Sequence, residues 1–304
     1  MTHREKQHLS RRAFVAGTAF AVAGGWALPA AHGQAAKGNI NFRVTGSQDP
    51  TLVFVHGYSC ALDDWDAQVA ALSPRFRCVA LDLPGHGASA KPGTVSIAAL
   101  GSAVAQVKEE VGARSAVLIG HSMGCRVIVE ALLQSPSGVA GLAFVDGSIL
   151  GGDPETGVQR AKDANSKAGI DPLTQRLFND MFLEGSDPKL RERLVARAQA
   201  VDPSFREELF VDLVRWDLTK ARDALKQIKV PALVLQSTFI NSEFKRVPMQ
   251  PGMTTPFMDA VAASVSNSEA QIVTGSGHFA MIDAAPAIND AIGKFATRLT
   301  MSKT

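Results

Sequence analysis

The sequence predicts an α/β fold, in which a mostly parallel, doubly wound sheet is covered by helices and a helical segment is inserted before the penultimate strand. Two observations carry this prediction: short apolar runs alternate with segments of helical length, and one long internal stretch contains amphipathic helices without a strand. The 304 residues are 46% hydrophobic and 20% charged, so the chain has enough apolar material for a sizeable core. This composition excludes disordered, collagen-like and coiled-coil proteins.

Residues 1–35 precede the predicted fold and have the composition of an export signal. A basic start is followed by an apolar run over Ala13–Ala23 and by small residues from Pro29 onward. Ser10–Val15 reads SRRAFV and resembles the twin-arginine motif, which a bacterial translocase recognises when it exports folded proteins. Glycine interrupts the apolar run, which is shorter than the ~20 residues of a membrane span. We therefore expect a periplasmic or secreted protein with no membrane anchor once the signal is removed.

The formal net charge of +2 belongs to this segment. Without its four basic residues and one acidic residue, 27 basic and 28 acidic side chains remain, a net charge of −1. Neither charge balance suggests a nucleic-acid partner, so the expected partners are a small-molecule substrate and the export translocase. A separation of about 15 Å is expected between Cys60 and Cys78 in a parallel sheet, which predicts no disulfide between them.

Seven segments have the pattern of strands. The first alternates between apolar and polar residues, which is typical of a half-buried strand, whereas the others are apolar runs. Apolar runs without alternation are typical of a parallel sheet whose two faces are both covered. In order, the segments are Asn39–Thr45, Thr51–His56, Cys78–Leu83, Ser115–Gly120, Val139–Asp146, Pro231–Gln236 and Ala270–Thr274.

Helices are predicted between most of these strands, over Ala61–Leu72, Ser96–Val111, Ser122–Gln134 and Pro256–Val265. The alternation stops at residue 151. From 151 to 225 the sequence contains amphipathic stretches, such as Pro188–Ala200 and Ser204–Trp216, and no convincing strand. We therefore divide the chain into an export segment (1–35), an α/β core (36–150 and 226–304) and a helical insertion (151–225).

A serine in a glycine-rich turn is the first candidate catalytic residue. Gly120–Gly124 reads GHSMG, a G-x-S-x-G sequence that follows a predicted buried strand and precedes a predicted helix. Such a turn needs small neighbours, and it exposes the Oγ of Ser122 above the strand ends, where the Met123 N–H can donate to an oxyanion. The structural alternative is a serine that only caps the helix.

Four motifs occur in an order that resembles the α/β-hydrolase superfamily. They are His56-Gly57 after one strand, Asp82–Ser89 (DLPGHGAS) after the next, the GHSMG turn, and Gly277-His278 after the last strand. The resemblance extends over most of the chain and places the helical insertion where the family has its cap. It implies the α/β-hydrolase fold and a serine hydrolase that forms an acyl-enzyme on Ser122. No cofactor or metal is expected, because the sequence has no metal-ligand cluster and Gly85–Gly87 lacks the dinucleotide-binding pattern.

His278 is the candidate general base. Of the four histidines outside the export segment, His121 adjoins the serine in a sharp turn and is expected to point away from it, and His56 and His86 lie in loops that the family uses for shape. Only His278 follows the final strand, where the chain order of the family places the base. The alternative is a solvent-facing loop histidine.

The acid of the triad departs from the commonest pattern of the superfamily, which places an Asp after the strand that follows the cap. Here that stretch, Gln236–Glu243, contains no Asp. Asp146 closes the preceding strand and resembles the placement known in haloalkane dehalogenases and some lactone hydrolases. The alternative is an Asp that caps the turn at Gly147-Ser148. We favour Asp146 as the acid, with Glu243 as the second candidate.

The family also suggests an oxyanion hole and a substrate pocket. The oxyanion hole pairs the Met123 N–H with the N–H of Tyr58, the only tyrosine, whose hydroxyl either contacts substrate or packs under the cap. Four apolar side chains of the cap either line a substrate pocket or pack the cap helices against the core: Met181, Phe182, Phe210 and Trp216. Cys125 is expected to be a small core residue.

The sequence therefore predicts a secreted, cofactor-free hydrolase of a carboxylic ester or lactone. Serine at the elbow argues against haloalkane dehalogenase and epoxide hydrolase activities, which use Asp there. Carbon–carbon bond hydrolysis, perhydrolysis, cofactor-free dioxygenation and a non-catalytic ligand receptor remain open as alternatives.

Overall fold

The structure is a computed structural model that describes residues 31–34, 39–241 and 245–301, with only the backbone given for 31–34. Most of the export segment, with Arg11 and Arg12, lies outside these residues, and so does Glu243. No helix in the described ranges is long and apolar enough to cross a membrane.

An eight-stranded sheet forms the centre of the core, in the order β1-β2-β4-β3-β5-β6-β7-β10. The first strand pairs antiparallel with the second, and the second with the fourth; the other neighbours are parallel. This confirms the predicted α/β fold with a mostly parallel sheet. The strands are β1 (Ala31–Gln34), β2 (Asn41–Thr45), β3 (Thr51–Val55), β4 (Arg77–Leu81), β5 (Ala116–His121), β6 (Val139–Val145), β7 (Ala232–Gln236), β8 (Thr238–Ile240), β9 (Arg246–Pro248) and β10 (Ser268–Ile272).

The central strands are buried along their whole length, which explains their unbroken apolar runs. Every residue of β3, β5, β6 and β7 is buried, because helices cover both faces of the sheet. At the edge, β10 has three exposed residues in succession. The core helices are α1 (Asp66–Leu72), which follows a short 3-10 helix (Leu62–Trp65), α2 (Ile97–Glu110), α3 (Gly124–Gln134), α9 (Pro256–Ser264), α10 (Ala280–Asp283) and α11 (Ala285–Met301).

Five helices occupy the insertion, which we call the cap. They are α4 (Pro154–Ala168), α5 (Ile170–Asn179), α6 (Pro188–Ala200), α7 (Pro203–Thr219) and α8 (Ala221–Lys226). Three of them begin at an Asp-Pro pair, in which the Asp carboxylate accepts an N–H of the first turn and the proline occupies the first helical position. These local signals fix where α4, α6 and α7 begin.

Buried polar contacts join the cap to the core. On α3, Arg126 binds Asp217 of α7 through two nitrogens, at 2.7 and 2.6 Å. One turn further along α3, Glu130 accepts a hydrogen bond of 2.6 Å from the indole N–H of Trp216. Two adjacent cap residues therefore bind the helix that directly follows Ser122.

Three observed strands, β1, β8 and β9, were not predicted from the sequence. β1 lies within residues 1–35, the segment that the sequence prediction excluded from the fold. In the structure this strand pairs with β2 of the core sheet. After β7 the chain forms a small antiparallel hairpin, β8–β9, outside the main sheet. Each strand of the hairpin has only three residues, too few for a hydrophobic period to be visible in the sequence.

Candidate active site

The candidate catalytic residues all lie at the carboxyl ends of the parallel strands. Ser122 follows β5, Asp146 follows β6, and His278 lies in the loop after β10. Gly57 and Tyr58 follow β3, the other neighbour of β5. Parallel strands bring their carboxyl ends to one edge of the sheet, where α/β proteins build their sites.

Ser122 has the strained backbone of a sharp strand-to-helix turn. Its φ is +54°, a left-handed value that is uncommon for a residue with a side chain. A Cβ on Gly120 would lie 2.3 Å from the carbonyl oxygen of Gly124, and a Cβ on Gly124 would lie 2.5 Å from that of Val55. Both positions therefore need glycine, and the turn holds the half-buried serine at the strand ends.

Asp146 and His278 form a buried pair. The Nδ1 of His278 lies 2.5 Å from Oδ2 of Asp146, and both side chains are almost completely buried. Because an ionised carboxylate can only accept, His278 carries its proton on Nδ1 and presents Nε2 as a base. Nε2 has no hydrogen-bond partner among the described residues, so it is not engaged by Ser122 in this structure and is available to accept a proton.

The alternative role for Asp146, capping the turn at Gly147-Ser148, is not what the structure shows. Its Oδ1 accepts hydrogen bonds from the N–H groups of Ser237 and Thr238, at 2.8 and 2.7 Å. Its Oδ2 accepts the Thr238 hydroxyl at 2.5 Å in addition to His278. The loop after β7, where the commonest pattern places the acid, here donates hydrogen bonds to an acid from β6.

The electrostatic environment favours an ionised Asp146 beside a neutral His278. Burial raises the pKa of Asp146, but the hydrogen bond from His278 and the charge of Arg246 outweigh it and lower this pKa to about 2. Burial lowers the pKa of His278, and Arg246 lowers it further, while Asp146 acts in the opposite direction; the net shift is downward. The imidazole is therefore unprotonated at pH 7, as a general base requires.

The two backbone N–H groups predicted to form an oxyanion hole belong to residues near Ser122 in the chain or in space. Met123 directly precedes α3, and Tyr58 belongs to the loop after β3. Neither N–H donates to another residue in the part of the chain that the structure describes. A Cβ on Gly57 would lie 3.1 Å from the Cβ of Ser122, so this loop approaches the serine closely. Both N–H groups are thus free to bind an oxyanion that forms on a group attacked by Ser122.

The other histidines have structural contacts. The Nε2 of His56 accepts the N–H of Leu83 at 2.9 Å, and that of His86 accepts the N–H of Ser59 at 3.2 Å. His121 donates from Nε2 to the carbonyl oxygen of His278 at 2.9 Å, and the centroids of the two rings are 4.5 Å apart. His121 therefore supports His278 from the side.

The structure separates the predicted substrate-binding residues into two groups. Met181 accepts the backbone N–H of His278 at 2.9 Å through its carbonyl oxygen, and the Phe182 ring lies 5.4 Å from that of Phe279. These two cap residues contact His278 and its neighbour Phe279. Trp216 instead donates to Glu130 on α3 and belongs to the contact between cap and core.

The hydroxyl of Tyr58 packs under the cap, one of the two roles considered for it. It donates a hydrogen bond of 2.9 Å to the carbonyl oxygen of Arg206, which is buried in the cap. Phe210, also in the cap, lies with its ring centroid 6.2 Å from that of Tyr58. Cys125 is buried, and its thiol donates to the carbonyl oxygen of Gly120 at 3.1 Å, as a core residue does.

Arg246 is a part of the site that the sequence analysis did not identify. It begins β9, and its Nη1 lies 3.4 Å from Oδ2 of Asp146 and 2.8 Å from Oγ1 of Thr238. The sequence around Arg246 contains no pattern that would indicate a contact with a buried carboxylate 100 positions earlier in the chain. In the described residues, no group of His, Cys, Asp and Glu is arranged to hold a metal ion.

Comparison with known proteins points to one family. The model of a family described as the alpha/beta hydrolase family matches residues 52–291. An acetoin-cleaving-system dihydrolipoyllysine acetyltransferase component of Cupriavidus necator is 30% identical over 146 residues, covering 47% of this chain and 39% of that protein. A pimeloyl-[acyl-carrier protein] methyl ester esterase of Methylococcus capsulatus is 31% identical over 168 residues, covering 55% and 60%. The matches therefore span less than two thirds of these relatives.

Solved structures share the fold over nearly the whole chain. An enol-lactonase from Burkholderia xenovorans superposes with a TM-score of 0.70 at 22% identity, covering 88% of this chain and 100% of the other. An esterase from Exiguobacterium antarcticum gives a TM-score of 0.72 at 17% identity, covering 88% and 98%. At such identities the likeness shows the fold alone.

Proposed function

The chain belongs to the alpha/beta hydrolase family, and from that premise we propose that it is a serine hydrolase that cleaves a carboxylic ester or lactone through an acyl-enzyme on Ser122. One observation carries the proposal. His278 is held by Asp146 on one nitrogen and has the other nitrogen without a partner among the described residues, at the same edge of the sheet as a serine in a strained strand-to-helix turn.

The first half-reaction forms the acyl-enzyme. The Oγ of Ser122 attacks the carbonyl carbon of the substrate while Nε2 of His278 accepts the hydroxyl proton. The carbonyl oxygen becomes an oxyanion, to which the N–H groups of Met123 and Tyr58 donate. As the tetrahedral intermediate collapses, the bond to the alkoxy oxygen breaks and His278 returns the proton to that oxygen. For a lactone, the leaving hydroxyl remains attached to the acyl group.

The second half-reaction restores the enzyme. A water molecule attacks the acyl carbon, and His278 accepts one of its protons; the ester bond to Ser122 then breaks, and the proton returns to Oγ. Asp146 stays ionised throughout and stabilises the imidazolium that forms in each half-reaction. Burial of the pair keeps its geometry fixed, which raises the effective concentration of the base at the serine.

Names of related proteins support an oxygen ester as the substrate. A relative that matches part of this chain is described as a methyl ester esterase, and proteins of the same fold are described as an esterase and an enol-lactonase. The placement of Asp146 after β6 also resembles that of some lactone hydrolases. We therefore place small carboxylic esters and lactones first among substrates to be tested.

Two measurements on the full chain test this proposal. A panel of p-nitrophenyl esters and lactones reports turnover, and a fluorophosphonate probe reports a nucleophilic serine by a covalent mass increase. We expect turnover and labelling with the wild type and neither with Ser122→Ala. Ser266→Ala, the same change at an exposed serine, is the matched control and keeps both properties.

The same measurements separate the alternatives. Binding of a ligand with no turnover and no labelling of Ser122 would show a receptor and refute the esterase assignment. Labelling of Ser122 without turnover of any ester or lactone would direct the assignment to carbon–carbon hydrolysis or perhydrolysis. Oxygen consumption without labelling would indicate the dioxygenase.

We also propose that the protein is exported to the periplasm or secreted through the twin-arginine translocase. Support comes from the paired residues Arg11 and Arg12 ahead of an apolar run. In a bacterial host, replacement of both by lysine is expected to leave the precursor in the cytoplasm, whereas Arg4→Lys, which leaves the pair intact, does not. Equal distribution of both variants between the fractions would refute export by this route.

A further inference from the structure

Arg246 reaches the triad because of the hairpin that follows β7. Residues 238–240 pair antiparallel with residues 246–248, which returns the chain to the carboxyl end of β6. The backbone N–H of Arg246 donates to the carboxylate of Asp180, the C-cap residue that follows α5 in the cap, at 2.9 Å. Its side chain is 11% exposed. The hairpin and the cap therefore hold the backbone of Arg246, and Thr238 and Asp146 hold its guanidinium.

The donor and the acceptor of each hydrogen bond from Arg246 through Thr238 to Asp146 can be assigned in only one way. A guanidinium can only donate, so the Nη1 of Arg246 donates to Oγ1 of Thr238, at 2.8 Å. The Thr238 hydroxyl then uses its own hydrogen to donate to Oδ2 of Asp146, at 2.5 Å. The same carboxylate oxygen accepts from Nδ1 of His278. Arg246 thus orients the threonine hydroxyl toward the acid of the triad.

Arg246 is one of several charged groups around His278. Asp146 at the end of β6 favours the protonated imidazole, whereas Arg246 on β9 and Arg126 on α3 disfavour it. The charge of Arg126 is paired with Asp217, and that of Arg246 faces Asp146 and Asp180. His121, whose ring centroid is 4.5 Å from that of His278, is neutral because burial lowers its pKa far below the usual value.

We propose that Arg246 is a positioning residue of the triad. Through Thr238 it fixes Asp146, and its positive charge allows His278 to act as a base at a lower pH than it otherwise would. The inference rests on the proposed function, since it concerns the same site. Positive charge near an imidazole disfavours its protonated form. Loss of the charge therefore protonates His278 at a higher pH and moves the acidic limb of the activity profile upward.

Three variants and one control test the proposal in the full chain. Arg246→Met removes the charge and keeps a long side chain, Arg246→Lys keeps the charge, and Thr238→Val removes the hydroxyl while it keeps the charge. Lys229→Met makes the same charge change just before β7 begins, at the opposite end of that strand from the site. Circular dichroism and thermal midpoints show that each variant is folded.

The main readout is kcat/KM for a p-nitrophenyl ester as a function of pH. We expect Arg246→Met to move the acidic midpoint upward by about one pH unit, which is about tenfold lower activity at a fixed pH on that limb. The midpoints of Arg246→Lys, Thr238→Val and Lys229→Met stay near that of the wild type, and Thr238→Val lowers kcat. An unchanged midpoint in Arg246→Met, or an equal shift in Arg246→Lys, would overturn the role of the charge.

A second readout does not need turnover. The NMR resonance of the His278 Cε1–H titrates with the imidazole, and its midpoint is expected to rise in Arg246→Met and to stay in Arg246→Lys. If the wild type neither hydrolyses esters nor reacts with the fluorophosphonate, the proposed function fails, yet this titration still tests Arg246. An identical titration in the wild type and Arg246→Met would refute the inference by itself.

Discussion

The Nδ1 of His278 lies 2.5 Å from Oδ2 of Asp146, although 132 positions separate the two residues in the chain. The contact exists because β6 and β10 both direct their carboxyl ends to the same edge of the sheet, with β7 between them. Five further donors surround the same carboxylate: the Gln236 amide at the end of β7, the Ser237 N–H, the Thr238 N–H, the Thr238 hydroxyl and the Arg246 guanidinium. The carboxylate therefore binds the histidine and the loop after β7 and does more than cap the turn that follows β6.

Asp146→Asn is expected to lower kcat by roughly 10⁴-fold, as for triad aspartates in general. The amide cannot hold the imidazole in the tautomer that leaves Nε2 unprotonated, and it does not stabilise the imidazolium. The matched variant is Glu243→Gln, which makes the same change at the second candidate and should keep wild-type activity. Ester hydrolysis by the purified variants decides between them. If Glu243→Gln were the damaging change, Asp146 would not be the acid.

Gly57→Ala is expected to lower kcat by about 10–100-fold while the protein stays folded. The added methyl group would lie 3.1 Å from the Cβ of Ser122 and 3.1 Å from Nδ1 of His121, so these groups must shift by a few tenths of an ångström. Displacements of this kind at reacting atoms are costly for catalysis. Gly93→Ala is the control, because a methyl group there meets nothing within 4 Å. Equal activity of the two variants would show that the loop tolerates displacement at the serine.

Asp217→Asn is expected to destabilise the protein by about 3–5 kcal/mol, because it leaves the buried guanidinium of Arg126 without its charge partner. The side chains of Arg126 and Asp217 are 4% and 0% exposed. Urea unfolding measures the change. The exposed pair of Lys226 and Asp223 supplies the control, since Asp223→Asn should change stability by at most about 0.5 kcal/mol. Similar losses in both variants would mean that burial of the Arg126–Asp217 pair has no energetic consequence.

Stability is expected to fall as the pH decreases from about 6.5 to about 4. Burial is the largest cause that lowers the pKa of each buried histidine, namely His56, His86, His121 and His278, with that of His86 at about 4. The unfolded chain therefore binds more protons than the folded chain in this window, and stability rises with pH across it. For His86 alone the loss by pH 4 is roughly 3 kcal/mol. Urea unfolding at several pH values checks this, and a flat profile between pH 7 and pH 5 would contradict it.

Most of the core could be predicted from the sequence, because buried strands consist of apolar runs that are visible in the local sequence. Each of the seven predicted strands overlaps an observed strand, and the unbroken apolar runs of β3, β5 and β6 correspond to strands buried on both faces. The GHSMG turn was equally visible, because its geometry forces glycine on both sides of Ser122. The hairpin β8–β9 was missed because strands of three residues are too short to show a period.

The sequence by itself determined the strand and helix pattern and the candidate nucleophile and base, since these depend on short-range spacing and on chain order. Only the tertiary structure decided that the Asp146 carboxylate binds His278, that Arg246 stands beside that pair, and that the Tyr58 hydroxyl binds the cap. The reason is physical. A hydrogen bond between residues about a hundred or more positions apart depends on how the sheet and the cap pack. The sequence around one of these residues does not identify the other.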